Sequence, residues 1–84
     1  MSQPRVKWIH VRRYFNKAPL FTLRGGKGSD KVITGPHSVD PGGRHSVVTI
    51  GHRFSDHPGR EITNAHVGRI YRAFGVTRHD MLDS

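Results

Sequence analysis

The stretch 20-LFTLRGGKGSDKVITG-35 decides how this chain is read. Two short apolar segments, one over residues 20–24 and one over 31–35, flank a centre of Gly25, Gly26, Lys27, Gly28, Ser29 and Asp30. β-Branched and aromatic residues on both sides of a glycine-rich turn are the pattern of paired antiparallel strands. The turn itself has two readings. It is a plain hairpin connection, or it is a loop whose bare backbone N–H groups can approach a phosphate. Arg24 and Lys27 place positive charge beside those groups, and Ser29 offers a hydroxyl donor. It is not a nucleotide P-loop, because the spacing G-x-x-x-x-G-K-[ST] is absent and no helix follows at once.

Working outward, 46-SVVTI-50 is the strongest strand in the chain, and it supplies a third strand to the same sheet. Between it and the hairpin lies a long turn-rich loop, 35-GPHSVDPGGRH-45. Upstream, 6-VKWIHVRRYFN-16 is ambiguous: its β-branched content fits a strand, whereas Trp8, Val11 and Phe15 at i, i+3, i+7 fit a helix. The helix over residues 5–16 is preferred, because Ala18-Pro19 stops it, with Ser2 as a cap and Pro4 tolerated in its first turn. Downstream, Thr63 or Asn64 caps a second helix over 63–74 in which Val67, Ile70, Tyr71 and Phe74 form the apolar face, Arg69 and Arg72 the opposite face. Gly75 suits its left-handed end, and Thr77 with Asp80 boxes a last helical turn over 77–82. The predicted fold is α+β, in the order α-β-β-β-α: one domain over residues 1–84, with two helices on one face of a three-stranded antiparallel sheet.

Charge narrows the function. Fourteen Lys and Arg face six Asp and Glu among 84 residues, giving +8 with neutral histidines and a pI near 11.2. Such a surface attracts polyanions across a Debye length of about 8–10 Å at physiological salt. Nucleic acid is the leading partner class and an anionic membrane surface the second. With 33% hydrophobic residues the core is small, so a partner or oligomer is a reasonable source of extra stability. No cysteine is present, which removes disulfides, thiolate metal sites and thiol catalysis, and fits a reducing cytoplasmic location. No apolar run is long enough to span a membrane, and the first residues do not read as a signal peptide.

Seven histidines offer acid–base chemistry near neutral pH. His52 directly follows the third strand, and His57 lies five residues on in a polar segment, 51-GHRFSDHPGREIT-63, read as a loop leading into a helix cap. Neither has the further ligands at defined spacing that a zinc site requires, so no metal or other cofactor is expected. A metal-free nuclease needs a base, an acid and cations for the phosphorane, and His52, Arg53, His57, Arg60 and Glu61 supply those types without fixing their geometry. Phe54, in the same charged segment, either stacks on a base or plugs the edge of the core.

The first helix, the strand followed by "GGKGSD", the strand ending "VVTIGHR" and the closing "EITNAHVGRIYRAFGV" together resemble the HicA-like (YcfA-type) toxin family of prokaryotic toxin–antitoxin modules. The resemblance runs from about Val6 to Leu82 and is patchy over 35–45. It implies a double-stranded-RNA-binding-like fold and a metal-independent endoribonuclease acting on mRNA, held inactive by a HicB-like antitoxin protein. In that family a histidine taken to be catalytic follows the "G-S". Here the position is Asp30, so His52 becomes the candidate catalytic residue, with Asp30 or His57 assisting. The nucleic-acid-binding candidates are Arg24, Lys27, Ser29, Lys31, Arg53 and Arg60. Two other functions stay open: a non-catalytic nucleic-acid-binding module on the same fold, and a basic protein–protein interaction domain.

Overall fold

A computed structural model describes residues 4–25, 28 and 30–83. The element order is α1 (Trp8–Lys17), β1 (Thr22–Gly25), β2 (Lys31–Gly35), β3 (Ser46–Ile50), α2 (His52–Ser55), α3 (Asn64–Phe74) and α4 (Arg78–Leu82). The three strands form one antiparallel sheet in the order β1-β2-β3, so the α+β arrangement expected from the sequence is present. Leu23, Ile33 and Val48 sit in one cross-strand row, and Thr22, Thr34 and Val47 in the next. Side chains alternate between faces along each strand, so these rows point opposite ways. Ile33, Val48 and Ile50 are buried beneath the helices, whereas Val47 is 60% exposed on the free face.

The core joins that sheet face to the apolar stripes of the helices. Trp8, Val11 and Phe15 of α1, and Val67, Ile70 and Phe74 of α3, are buried as their periodicity predicts. Tyr71 is a correction: it is 56% exposed, and His66 takes the buried position on that helix instead. Phe15, Phe21 and Phe74 meet edge-on with ring centroids 5.1 to 5.8 Å apart. Gly35 is required there, since any Cβ at that position would collide with the Phe21 ring.

The caps read from the sequence are largely in place. Thr63 Oγ1 accepts from the His66 N–H at 3.2 Å, and Gly75 ends α3 with φ of 73°. Thr77 and Asp80 exchange hydrogen bonds of 2.9 and 3.1 Å at the start of α4. That short helix buries Met81 completely and lies against α1.

Two element starts and one segment differ from expectation. Helix α1 starts at Trp8 rather than near residue 5, because residues 6 and 7 are extended: Lys7 bridges to Glu61, and Val6 C=O accepts from the Ile62 N–H at 3.0 Å. Its first N–H groups are satisfied from outside the helix, Trp8 by the Arg60 carbonyl at 2.7 Å and Ile9 by the Pro58 carbonyl at 2.9 Å. The cap expected at Ser2 lies outside the described residues. Strand β1 starts at Thr22 rather than residue 20. Finally, the segment read as a loop after β3 contains the one-turn helix α2. The long β2–β3 loop is tied to α3: Ser38 donates its N–H to Ala73 C=O at 2.9 Å and its hydroxyl to Arg72 C=O at 3.0 Å.

Candidate nucleic-acid interface

The hairpin end of the sheet carries the densest chemistry. Register pairs Gly25 with Lys31 and Lys31 with Ile50, so the residues just beyond these positions converge. Asp30 precedes Lys31, and His52 follows Ile50 by two residues. Asp30 Oδ1 accepts the His52 backbone N–H at 3.0 Å and lies 3.6 Å from the ring Nδ1. Gly51 occupies the N-cap of α2 and has no side chain to offer, so the Asp30 carboxylate supplies the missing acceptor from across the sheet. The same oxygen is within ion-pairing reach of the imidazole when the ring is protonated. The structure therefore brings together two sequence-predicted residues that stand 22 positions apart.

Beside this pair opens a cleft of about 390 Å³ between α1 and the first two strands. Trp8, Arg12, Asn16, Leu23, Gly25, Lys31 and Ser55 line it, and Arg24 borders it from the strand row that alternates to the other sheet face. Lys31 adjoins Asp30 in sequence and Ser55 is one helical turn from His52, so two lining residues neighbour the Asp30–His52 pair, which does not itself line the cleft. Three cationic residues, Arg12, Lys31 and the bordering Arg24, contribute to its lining and no carboxylate does. Arg12 and Asn16 were not among the sequence candidates. The available signal was their i, i+4 spacing on α1, which places both on one helix face.

Other candidates fall elsewhere. The Arg60 guanidinium donates to the Arg53 carbonyl at 2.7 Å, so Arg60 ties the end of α2 to the following turn. Arg53 itself is exposed on α2. The His57 ring is exposed and makes no hydrogen bond to the Asp30–His52 pair among the described residues. Lys27 and Ser29 lie outside the described residues. Phe54 packs edge-on against His66, with centroids 4.7 Å apart, at the margin of the core. That matches the core-plug reading rather than base stacking.

Two histidines are displaced from ordinary behaviour. Burial, reinforced by Arg69, lowers the pKa of His66, whose Nδ1 lies 2.9 Å from Thr63 Oγ1. Burial also lowers that of His10, with Lys7 and Arg13 adding to the effect. His10 Nδ1 accepts the Lys7 N–H at 3.0 Å, which requires that nitrogen to be unprotonated. Among the described residues no cluster of three His, Cys, Asp or Glu side chains is placed to hold a metal ion, and no helix is long and apolar enough to cross a membrane.

Known proteins offer no guide: no family model, curated protein or solved structure matches the chain.

Proposed function

We propose that this chain is an RNA-directed protein that grips a ribose-phosphate backbone in the cleft formed by Arg12, Arg24 and Lys31. The observation carrying this reading is a carboxylate-free cleft bordered by Arg12, Arg24 and Lys31, near which Asp30 holds the His52 backbone N–H. Backbone phosphates are the ligands for which guanidinium and ammonium groups in a polar groove are suited. The α-β-β-β-α order and the "GGKGSD" hairpin add the resemblance to HicA-like toxins as support, with a HicB-like antitoxin as the partner that reading implies.

The Asp30–His52 pair favours cleavage over binding alone. In this reading the His52 ring, whose backbone N–H is held by Asp30 and whose Nδ1 lies within ion-pairing reach of the same carboxylate, takes the proton of a ribose 2′-OH at Nε2. That oxygen attacks the adjacent phosphorus, and the P–O5′ bond breaks. The leaving O5′ takes a proton from water, and His52 later returns its own to solvent. The products are a 2′,3′-cyclic phosphate and a 5′-hydroxyl. Arg24 and Lys31 stabilise the charge that builds on the phosphoryl oxygens. Asp30 acts as the positioning residue at the place where the resembled family carries its histidine.

The test is incubation of the purified protein with bulk RNA in EDTA. Cleavage is expected, ending in cyclic phosphate, and His52→Ala should slow it by about 10²-fold or more. RNA retained without cleavage by both proteins would leave the binding module and remove the nuclease. Equal retention of RNA after Arg24→Ala with Lys31→Ala would remove the cleft from the reading altogether.

A further inference from the structure

A second cationic feature lies at the far end of β2, away from the hairpin. Strand β3 is the last strand of the sheet and pairs only with β2. Among the described residues its main chain makes no hydrogen bond outside that ladder. Its outer edge therefore presents unpaired N–H and C=O groups, the feature that natural sheets ordinarily cover or blunt. No proline, bulge or inward-pointing charge interrupts Ser46–Ile50.

Beside this edge runs a cleft of about 310 Å³, lined by His37, Ser46, Val47, Val48, Arg69 and Arg72 together with Ala73. Both arginines project from α3, and neither is paired with a carboxylate among the described residues. Gly68 leaves open the space that Arg72 uses: a side chain there would touch its guanidinium at 3.6 Å. On the other face of the sheet Val47 stands 60% exposed next to the edge.

We propose that the open edge of β3 is a docking site for an acidic, extended segment of a partner protein, which adds to the sheet as a fourth strand. The alternation of a β-strand fixes the pattern of that segment. Acidic side chains at every second position would face Arg69 and Arg72 on the helix side. β-Branched residues between them would lie beside Val47 on the free face. Charge complementarity selects this occupant over a second copy of the chain, since pairing two β3 edges would bring together two molecules of net charge +8. The unpaired edge selects a peptide main chain over RNA, because a strand satisfies alternating donors and acceptors along its whole length and a phosphodiester offers acceptors alone. This surface is independent of the hairpin cleft and of its proposed chemistry.

A ten-residue labelled peptide of alternating Glu and Val is a direct probe, with a control in which two valines are replaced by proline at unchanged charge. The alternating peptide should bind and slow hydrogen exchange at outward-facing amides of Ser46–Ile50. The proline peptide should bind at least about tenfold more weakly. Arg69→Glu with Arg72→Glu, at exposed positions, should weaken the alternating peptide by about tenfold or more. Arg24→Ala with Lys31→Ala should leave that binding unchanged. Equal binding of the two peptides, no binding of either, or protection of the hairpin end instead would each overturn the proposal. So would an RNA oligonucleotide that protects the same β3 amides, or self-association through that edge.

Discussion

The two ends of β2 carry similar charge and different chemistry. At the Lys31 end, Arg12, Arg24 and Lys31 border a cleft, and Asp30, next to Lys31 in sequence, lies within ion-pairing reach of the His52 imidazole. At the Gly35 end, His37, Arg69 and Arg72 flank an unpaired strand edge with an exposed valine beside it. Net charge explains why either end would attract an anion. It does not say which anion. The first end offers a group able to move a proton, and the second offers a row of backbone donors and acceptors. Under the two proposals, ligand class is set by the uncharged or weakly charged groups next to the cations.

The sharpest way to break this comparison is to remove the cations from one end at a time. Arg24→Ala with Lys31→Ala should weaken RNA binding by about tenfold to a hundredfold at low salt, each lost charged hydrogen bond being worth about 1.5 kcal/mol or somewhat less where exposed. The slope of log affinity against log salt should become shallower by about 1.5. Arg69→Ala with Arg72→Ala should change both quantities far less. A filter-binding titration over several salt concentrations reads both outcomes, and matching losses from the two pairs would show that charge is spread without preference.

Backbone packing at the Gly35 end gives the next effect. Gly35→Ala should destabilise the fold by about 1–3 kcal/mol through overpacking against Phe21. Chemical denaturation measures this directly. Because Gly35 supports the aromatic cluster rather than the hairpin cleft, the folded fraction should keep its RNA affinity.

Acidification acts nearer the other end. The His66 and His10 values are lowered in the folded chain, so the unfolded chain binds more protons as pH falls from about 6.5, the ordinary histidine value. Their contribution to stability is complete above that value. It is lost as pH falls through the lowered folded values. His66 packs on Phe54 of α2, the helix that carries His52. Protection of α2 amides should therefore decline before that of the β2–β3 ladder as pH is lowered from 7 toward 5. His66→Gln should flatten this dependence.

The smallest effect concerns Thr34, whose hydroxyl oxygen is buried without a hydrogen-bond partner among the described residues. Thr34→Val should be neutral or raise stability by less than about 1 kcal/mol, because it removes a desolvated polar atom and keeps the shape. A clear loss in denaturation would mean that the hydroxyl is satisfied after all.

What was legible in the sequence was what local chemistry determines. "SVVTI" is a strand because of its own side chains, α3 begins and ends at residues that carry their own caps, Thr63 and Gly75, and α4 begins at the Thr77–Asp80 box. The boundaries that differed depend on distant partners. Helix α1 starts where carbonyls of Pro58 and Arg60 reach its first N–H groups, and α2 forms where Asp30 supplies an acceptor from across the sheet. The candidate site divides the same way. His52, Asp30, Arg24 and Lys31 were visible as residue types near the ends of strands. The membership of Arg12 and Asn16 follows from how α1 lies over the sheet, and the burial of His66 in place of Tyr71 follows from the Phe54 contact.

The strapping of residues 6–9 to residues 58–62 has a consequence for synthesis. Helix α1 is translated some fifty residues before the carbonyls that hold its start. Met81, which lies buried against it, and Arg78, which donates to the Pro4 carbonyl at 3.0 Å, arrive later still. Contacts of such long sequence separation form slowly and late. A nascent chain would hold α1 and its cationic residues uncompacted until residues 58–82 have been made, in immediate proximity to the ribosome's own RNA.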